Sequence, residues 1–164
     1  MKLTIKRLKR GDWKRYRKRL INIEINSFGS KDRTPLKFFK ELIDDCEPYS
    51  AIFYYKGKTV GYYVANVLED SGEDLKVYDK RFGKHDSIYL LVIGVHKDYQ
   101  HCGIGTQMMN DILNIASSRY KRISLHTKNP NFKKLIHKYG FKFVRHNIWT
   151  KPRRVMDYYV KRLK

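Results

Sequence analysis

The sequence predicts an α/β domain built around a mixed sheet. Three observations carry that prediction. The run SIYLLVIGV, residues 87–95, is apolar at nearly every position, as a central strand covered on both faces would be. The glycine-bearing turn YQHCGIG, residues 99–105, follows it, and Ile104, Met108, Ile112 and Ile115 then recur at helical spacing. The other segments switch between strand and helix periodicity in the order β, α, α, β, β, β, α, β, α, β, β.

The first strand is KLTIKRL, in which Leu3 and Ile5 alternate with Thr4 and Lys6. Gly11-Asp12 supplies a stop and an N-cap, and Trp13, Tyr16, Leu20 and Ile23 follow on one helical stripe. Thr34-Pro35 starts a second helix, with Thr as the cap and Pro in the first turn, where no donor is lost. Leu36, Phe39 and Ile43 give that helix its apolar side. YSAIFYYKGKTVGYYVANVLE reads as a hairpin around Lys56-Gly57-Lys58. Residues 70–87 are polar and irregular and predict a long loop. RISLHT is a strand, NFKKLIHKYG a short helix ending at Gly140, and FKFVRHNIW and VMDYYVKRL are two closing strands. No repeat or linker divides the chain, so one domain over 1–164 is expected.

Hydrophobic residues at 41% and aromatics at 14% fit a folded globule. No apolar run is long enough for a bilayer, and MKLTIKRLKR lacks the apolar block of a secretory signal. A soluble, cytoplasmic protein without membrane contact is expected. Cys46 and Cys102 are too few for a disulfide framework, and neither they nor the six histidines show metal-ligand spacing, so no metal is expected. The net charge of +20 is uneven: residues 1–20 carry +9, residues 21–118 carry −3 and residues 119–164 carry +14. Such asymmetry suits an anionic ligand or partner, although solvated lysine faces account for part of it.

The turn after the central strand bears most on function. A strand, a tight glycine turn and a helix leave free backbone N–H groups at the positive end of the helix dipole, where phosphates bind. The turn lacks the Gly-Lys-Ser/Thr ending of a nucleotide P-loop, and the third glycine of a dinucleotide fingerprint would fall at Met108.

What fits is VHKDYQHCGIG, with Val95, Gln100, Gly103 and Gly105 in the Gln/Arg-x-x-Gly-x-Gly/Ala pattern. A helix, a strand, Asn129 and LIHKYGF follow, closing on Gly140-Phe141. In these features the chain resembles the Gcn5-related N-acetyltransferases (the GNAT family) over nearly its whole length. The resemblance implies a mostly antiparallel central sheet flanked by helices, with one splayed pair of central strands. It implies acetyl-CoA as cosubstrate and direct acetyl transfer to a primary amine of a protein or small molecule. Backbone N–H groups of Gln100, His101, Cys102, Gly103, Ile104 and Gly105, with the Thr106 hydroxyl, would hold the diphosphate. The strand around Ile93 and Val95 would pair with the pantetheine arm, and Asn129 would hydrogen-bond it, unless Asn129 is simply the turn residue before Pro130.

The chemistry needs a polarised thioester carbonyl, served by a backbone N–H near Val95, and a base for the amine proton. His126 is the first candidate base and His96 the second, against the plainer reading of each as a strand or loop residue. Many family members use a tyrosine four residues before the Gly-Phe pair as acid; Ile136 stands there in this chain. Tyr139 lies near that position, and Tyr89 is a further acid or water-organising group, or else core. Cys102 lacks a histidine–carboxylate pair around it and reads as a bystander in the turn.

The acceptor stays open between three readings: a protein or small-molecule amine, an RNA-borne or ribosomal substrate reached through the basic termini, and a non-catalytic module that binds coenzyme A or nucleic acid. KRLKRGDWKRYRKR and TKPRRVMDYYVKRLK interleave aromatics with cations as nucleic-acid surfaces often do, although a solvated amphipathic helix explains the first nearly as well, since Trp13, Tyr16 and Leu20 are on its core stripe. A monomer or a homodimer fits the sequence equally.

Overall fold

The computed structural model describes residues 1–44, 49–72, 74–150 and 153–163. Cys46 lies outside the described residues. The element order is β1 (Thr4–Arg7), α1 (Trp13–Ser27), α2 (Leu36–Asp44), β2 (Ala51–Tyr55), β3 (Lys58–Val67), α3 (Leu75–Tyr78), β4 (Ser87–Val95), α4 (Ile104–Arg119), β5 (Arg122–Thr127), α5 (Pro130–Lys138), β6 (Lys142–Thr150) and β7 (Arg153–Arg162). The strands form a mixed, mostly antiparallel sheet of order β1-β2-β3-β4-β5-β7-β6, flanked by helices. β4 and β5 are parallel, and their register runs only from Ser87↔Arg122 to Leu90↔Leu125 although both strands continue. The chain clusters into two compact units: residues 1–65 with 92–112, and residues 66–91 with 113–164.

In the first unit the stripe Trp13, Tyr16, Leu20 and Ile23 is buried, and Trp13 meets Phe39 of α2 edge-on at 5.5 Å. Three local expectations change. Asp12 stands at the N-cap of α1, but its carboxylate accepts from the Lys9 N–H (2.9 Å) instead of capping. Pro35 precedes the first turn of α2, its carbonyl taking the Phe39 N–H, and Leu36 is exposed while Leu42 is buried. Ile5 is also exposed, because β1 is the edge strand, and Leu8 just beyond it supplies the buried side chain.

Two polar clusters fix this unit. The buried Glu24 carboxylate accepts from the Tyr62 hydroxyl and the Thr34 N–H. Asp111 on α4 takes a two-pronged pair from Arg7 (2.5 and 2.6 Å) and the Tyr63 hydroxyl (2.5 Å). The β2–β3 turn holds Lys56 and Gly57 at φ 47° and 76°, the paired positive values that a tight hairpin requires.

In the second unit β7 lies between β5 and β6, which leaves β6 at the edge. The expected long loop at 70–87 is instead a built segment, with a 3-10 turn at Leu68–Ser71 followed by α3. Leu68 and Leu75 anchor it against Tyr89 and Tyr158, with Phe82 packed alongside. Asp79, 5% exposed, is buried beneath it and accepts from Arg122 (2.6 Å), the Tyr158 hydroxyl and the Arg81 N–H (2.8 Å).

Candidate active site

The turn expected to cradle phosphate belongs to the first unit. β4 ends at Val95, and a 3-10 turn at Lys97–Tyr99 leads into the glycines. His101 (φ 61°) and Gly103 (φ 79°) both lie in the left-handed region, which turns successive N–H groups toward one side. The Gln100 amide folds back to donate to the Val95 carbonyl (3.0 Å), tying the turn to the strand. Gln107 N–H closes on Gly103 O (3.1 Å), so the N–H groups ahead of it precede the helical ladder. A side-chain carbon built on Gly103 would meet nothing within 4 Å, so the glycine borders open space. Open space, left-handed backbone and exposed donors fit a diphosphate. Cys102 is exposed here as a free thiol.

His96 also belongs to the first unit and is built into the turn. Its N–H donates to Val60 O (2.9 Å), and its Nδ1 accepts from the Asp98 N–H (3.3 Å). A cavity of about 480 Å³ opens beside it, lined among others by Lys18, Arg19, Lys58 and Tyr99.

The second unit holds His126, Tyr89, Asn129 and Tyr139. It brings two of the candidates together: the Tyr89 hydroxyl lies 2.7 Å from His126 Nδ1. The other ring nitrogen, Nε2, lies 2.5 Å from the Asn147 amide, and the ring stacks on Tyr158 at 4.5 Å. With the Asn147 Nδ2–H donating to Nε2, the ring proton sits on Nδ1 and is donated to the Tyr89 oxygen. Burial drives the His126 pKa down to about 4, against a smaller upward pull from Asp79, so the ring is neutral at pH 7. Burial raises Tyr89 well above an ordinary phenol. Asn147 and Tyr158 were not evident from sequence, because only the β5–β7 and β6–β7 registers bring them to His126; Asp79 comes from the end of α3, where Arg122 and Tyr158 reach it.

Asn129 caps α5, its Oδ1 accepting from the Phe132 N–H (3.0 Å). The turn-residue reading is therefore correct as far as that oxygen goes, and the amide NH2 is not consumed by the cap. Ile136, at the position of the family's tyrosine, is fully buried. Tyr139 forms the C-cap of α5, and desolvation raises its pKa.

No curated protein matches the sequence. Solved structures do match its fold. A protein of Pyrococcus horikoshii OT3 superposes with TM-score 0.77 at 19% identity, covering 98% of each chain. The ribosomal-protein-S18-alanine N-acetyltransferase of Escherichia coli gives TM-score 0.73 at 16% identity, over 99% of this chain and 95% of that one. Arabidopsis thaliana Naa50, in complex with the bisubstrate analogue CoA-Ac-MVNAL, gives 0.67 at 19%, over 98% and 99%. The model of the acetyltransferase (GNAT) family matches residues 13–141. That span takes in the glycine turn, all of α4 and the Gly-Phe close after α5, and the chain accordingly belongs to the GNAT acetyltransferase family.

Proposed function

We propose that the chain is an acetyl-CoA-dependent N-acetyltransferase acting by direct transfer on a primary amine, with both units forming one domain. The observation that carries this reading is the turn at 100–106: left-handed backbone at His101 and Gly103, facing open space at the start of α4. The Escherichia coli and Arabidopsis structures, named for an alanine of a ribosomal protein and bound to a peptide analogue, support an α-amine acceptor.

When bound, acetyl-CoA supplies an activated acetyl thioester. The backbone N–H groups of Gln100 to Gly105 and the Thr106 hydroxyl would hold the diphosphate. A backbone N–H of the strand edge at Ile93 and Val95 would polarise the thioester carbonyl. Asn129 keeps its oxygen for α5, and its NH2 would be the group offered to the arm. His126, neutral at pH 7, would orient the Tyr89 hydroxyl, which would hydrogen-bond the amine or its water. His96 or water would take the amine proton, and Tyr139 or solvent would protonate the departing thiolate. The pH profile of kcat/KM should therefore follow the acceptor amine, rising toward about 8 for an α-amine or about 10.4 for lysine. An inflection near the ordinary imidazole value of about 6.5 would hand the base to a histidine other than His126.

The test is label transfer from acetyl-labelled coenzyme into separated small-molecule, protein and RNA pools, alongside Gly103→Val. Label should enter one pool, and the variant, strained because valine must adopt φ 79°, should melt a few degrees lower, remain folded and lose coenzyme binding. Unchanged coenzyme affinity in the variant would refute the cradle.

A further inference from the structure

We propose that a cationic cleft on the second unit docks a single RNA strand, which makes the acceptor amine RNA-borne. The cleft has a volume of about 560 Å³, and Tyr78, Lys80, Lys121, Arg145 and Arg162 are among its lining residues. Its two carboxylates are already neutralised: Asp79 pairs with Arg122 (2.6 Å) and Asp86 with Arg81. Lys80, Arg145 and Arg162 have no ion-pair partner among the described residues. All three are exposed at the rim, where a polymer backbone reaches them more readily than an enclosed metabolite. Around them, residues 119–164 carry fifteen Lys/Arg against one acid, a field that favours a polyanion.

A second feature selects nucleic acid over an acidic peptide. The Arg145 guanidinium sits over the Tyr78 ring at 5.7 Å, and such a pair is a platform on which a base stacks. A peptide carboxylate would use the cations and leave that platform without a role; a nucleotide uses both. The cleft also adjoins the chemistry. Tyr78 meets the His126 ring edge-on at 6.1 Å and Tyr158, a lining residue, stacks on it at 4.5 Å. A strand held here places its end beside the Tyr89–His126 pair. The first unit's cavity, beside His96, is lined by Asp98 and Tyr99 just ahead of the glycine turn, and supplies the comparison.

The proposal rests on the acetyltransferase reading only for the fate of the docked amine. Binding is therefore read without coenzyme, by anisotropy of a fluorescein-labelled oligo(A) RNA on the full chain across a salt series. For single strands the log–log slope is about −0.7 per phosphate neutralised. Combined Lys80→Gln, Arg145→Gln and Arg162→Gln should flatten the slope by about 2 and weaken low-salt binding at least about tenfold. Tyr78→Ala should weaken binding and leave the slope nearly unchanged. The proposal is overturned if the triple variant binds as wild type does. It is equally overturned if Lys18→Gln with Lys58→Gln flattens the slope instead, or if poly-glutamate binds as tightly as RNA. RNA binding that depends on the cleft, with no acetyl label on amine-bearing RNA, would uphold the docking and refute the RNA-borne acceptor; no label in any pool would refute the acetyl-transfer reading.

Discussion

At the scale of single residues, His126 ties acidity to stability. Its folded pKa of about 4 lies below the unfolded value, so between those limits only the unfolded chain takes up the proton. Stability is complete above about pH 6.5 and falls as pH drops toward 4, by about 3 kcal/mol in all. Urea titrations at steps from pH 7 to pH 4.5 should show this loss. His126→Phe, which keeps a ring against Tyr158, should flatten it; an equal loss in the variant would place the effect elsewhere. Tyr62 offers a second case. It donates to the buried Glu24, and Tyr62→Phe should cost about 1.5–3 kcal/mol in denaturant unfolding, since a hydrogen bond to a charged group is lost. His126 was legible in the sequence as an imidazole on a strand leading to Asn129. Its suppressed basicity was not, because desolvation comes from β6 and β7, some twenty to thirty residues further along.

At the scale of elements, α5 allows the cap role of Asn129 to be tested apart from its proposed coenzyme contact. Asn129→Ser keeps an N-cap oxygen but removes the NH2. The variant should melt within a few degrees of wild type yet show a raised KM for acetyl-CoA. Asn129→Ala should lose both functions, with a stability cost of about 1 kcal/mol. If serine leaves KM unchanged, Asn129 serves only the helix. The strand–turn–helix at 87–119 could be read directly, because burial on both faces, glycines and helical spacing coincide there. The segment at 68–86 could not. Its apolar anchors Leu68, Leu75 and Phe82 are seven residues apart, too sparse for a periodic signal, and the buried Asp79 looks like any loop aspartate until Arg122 reaches it.

At the scale of the whole molecule, charge dominates. A net charge of +20 on 164 residues repels itself, and added salt screens that repulsion. The melting temperature should rise by several degrees between about 20 mM and 300 mM salt, where the Debye length falls below about 10 Å. A flat or falling response would mean that the ion pairs gain more from low salt than the surplus cations lose. The order of elements was legible as a whole, while the exposure of Ile5 was not, because nothing within KLTIKRL marks it as the strand at the sheet's edge. The clamp of Arg7 on Asp111 has a practical meaning for anyone preparing shorter versions of the protein. The family match starts at Trp13, yet Arg7 lies ahead of it and neutralises a carboxylate on α4, the helix that follows the glycine turn. Cutting at the family boundary would strand Asp111 with a tyrosine hydroxyl and no counter-charge. The recognisable segment is thus smaller than the smallest piece that should fold, and the first eight residues are part of the machine rather than its handle.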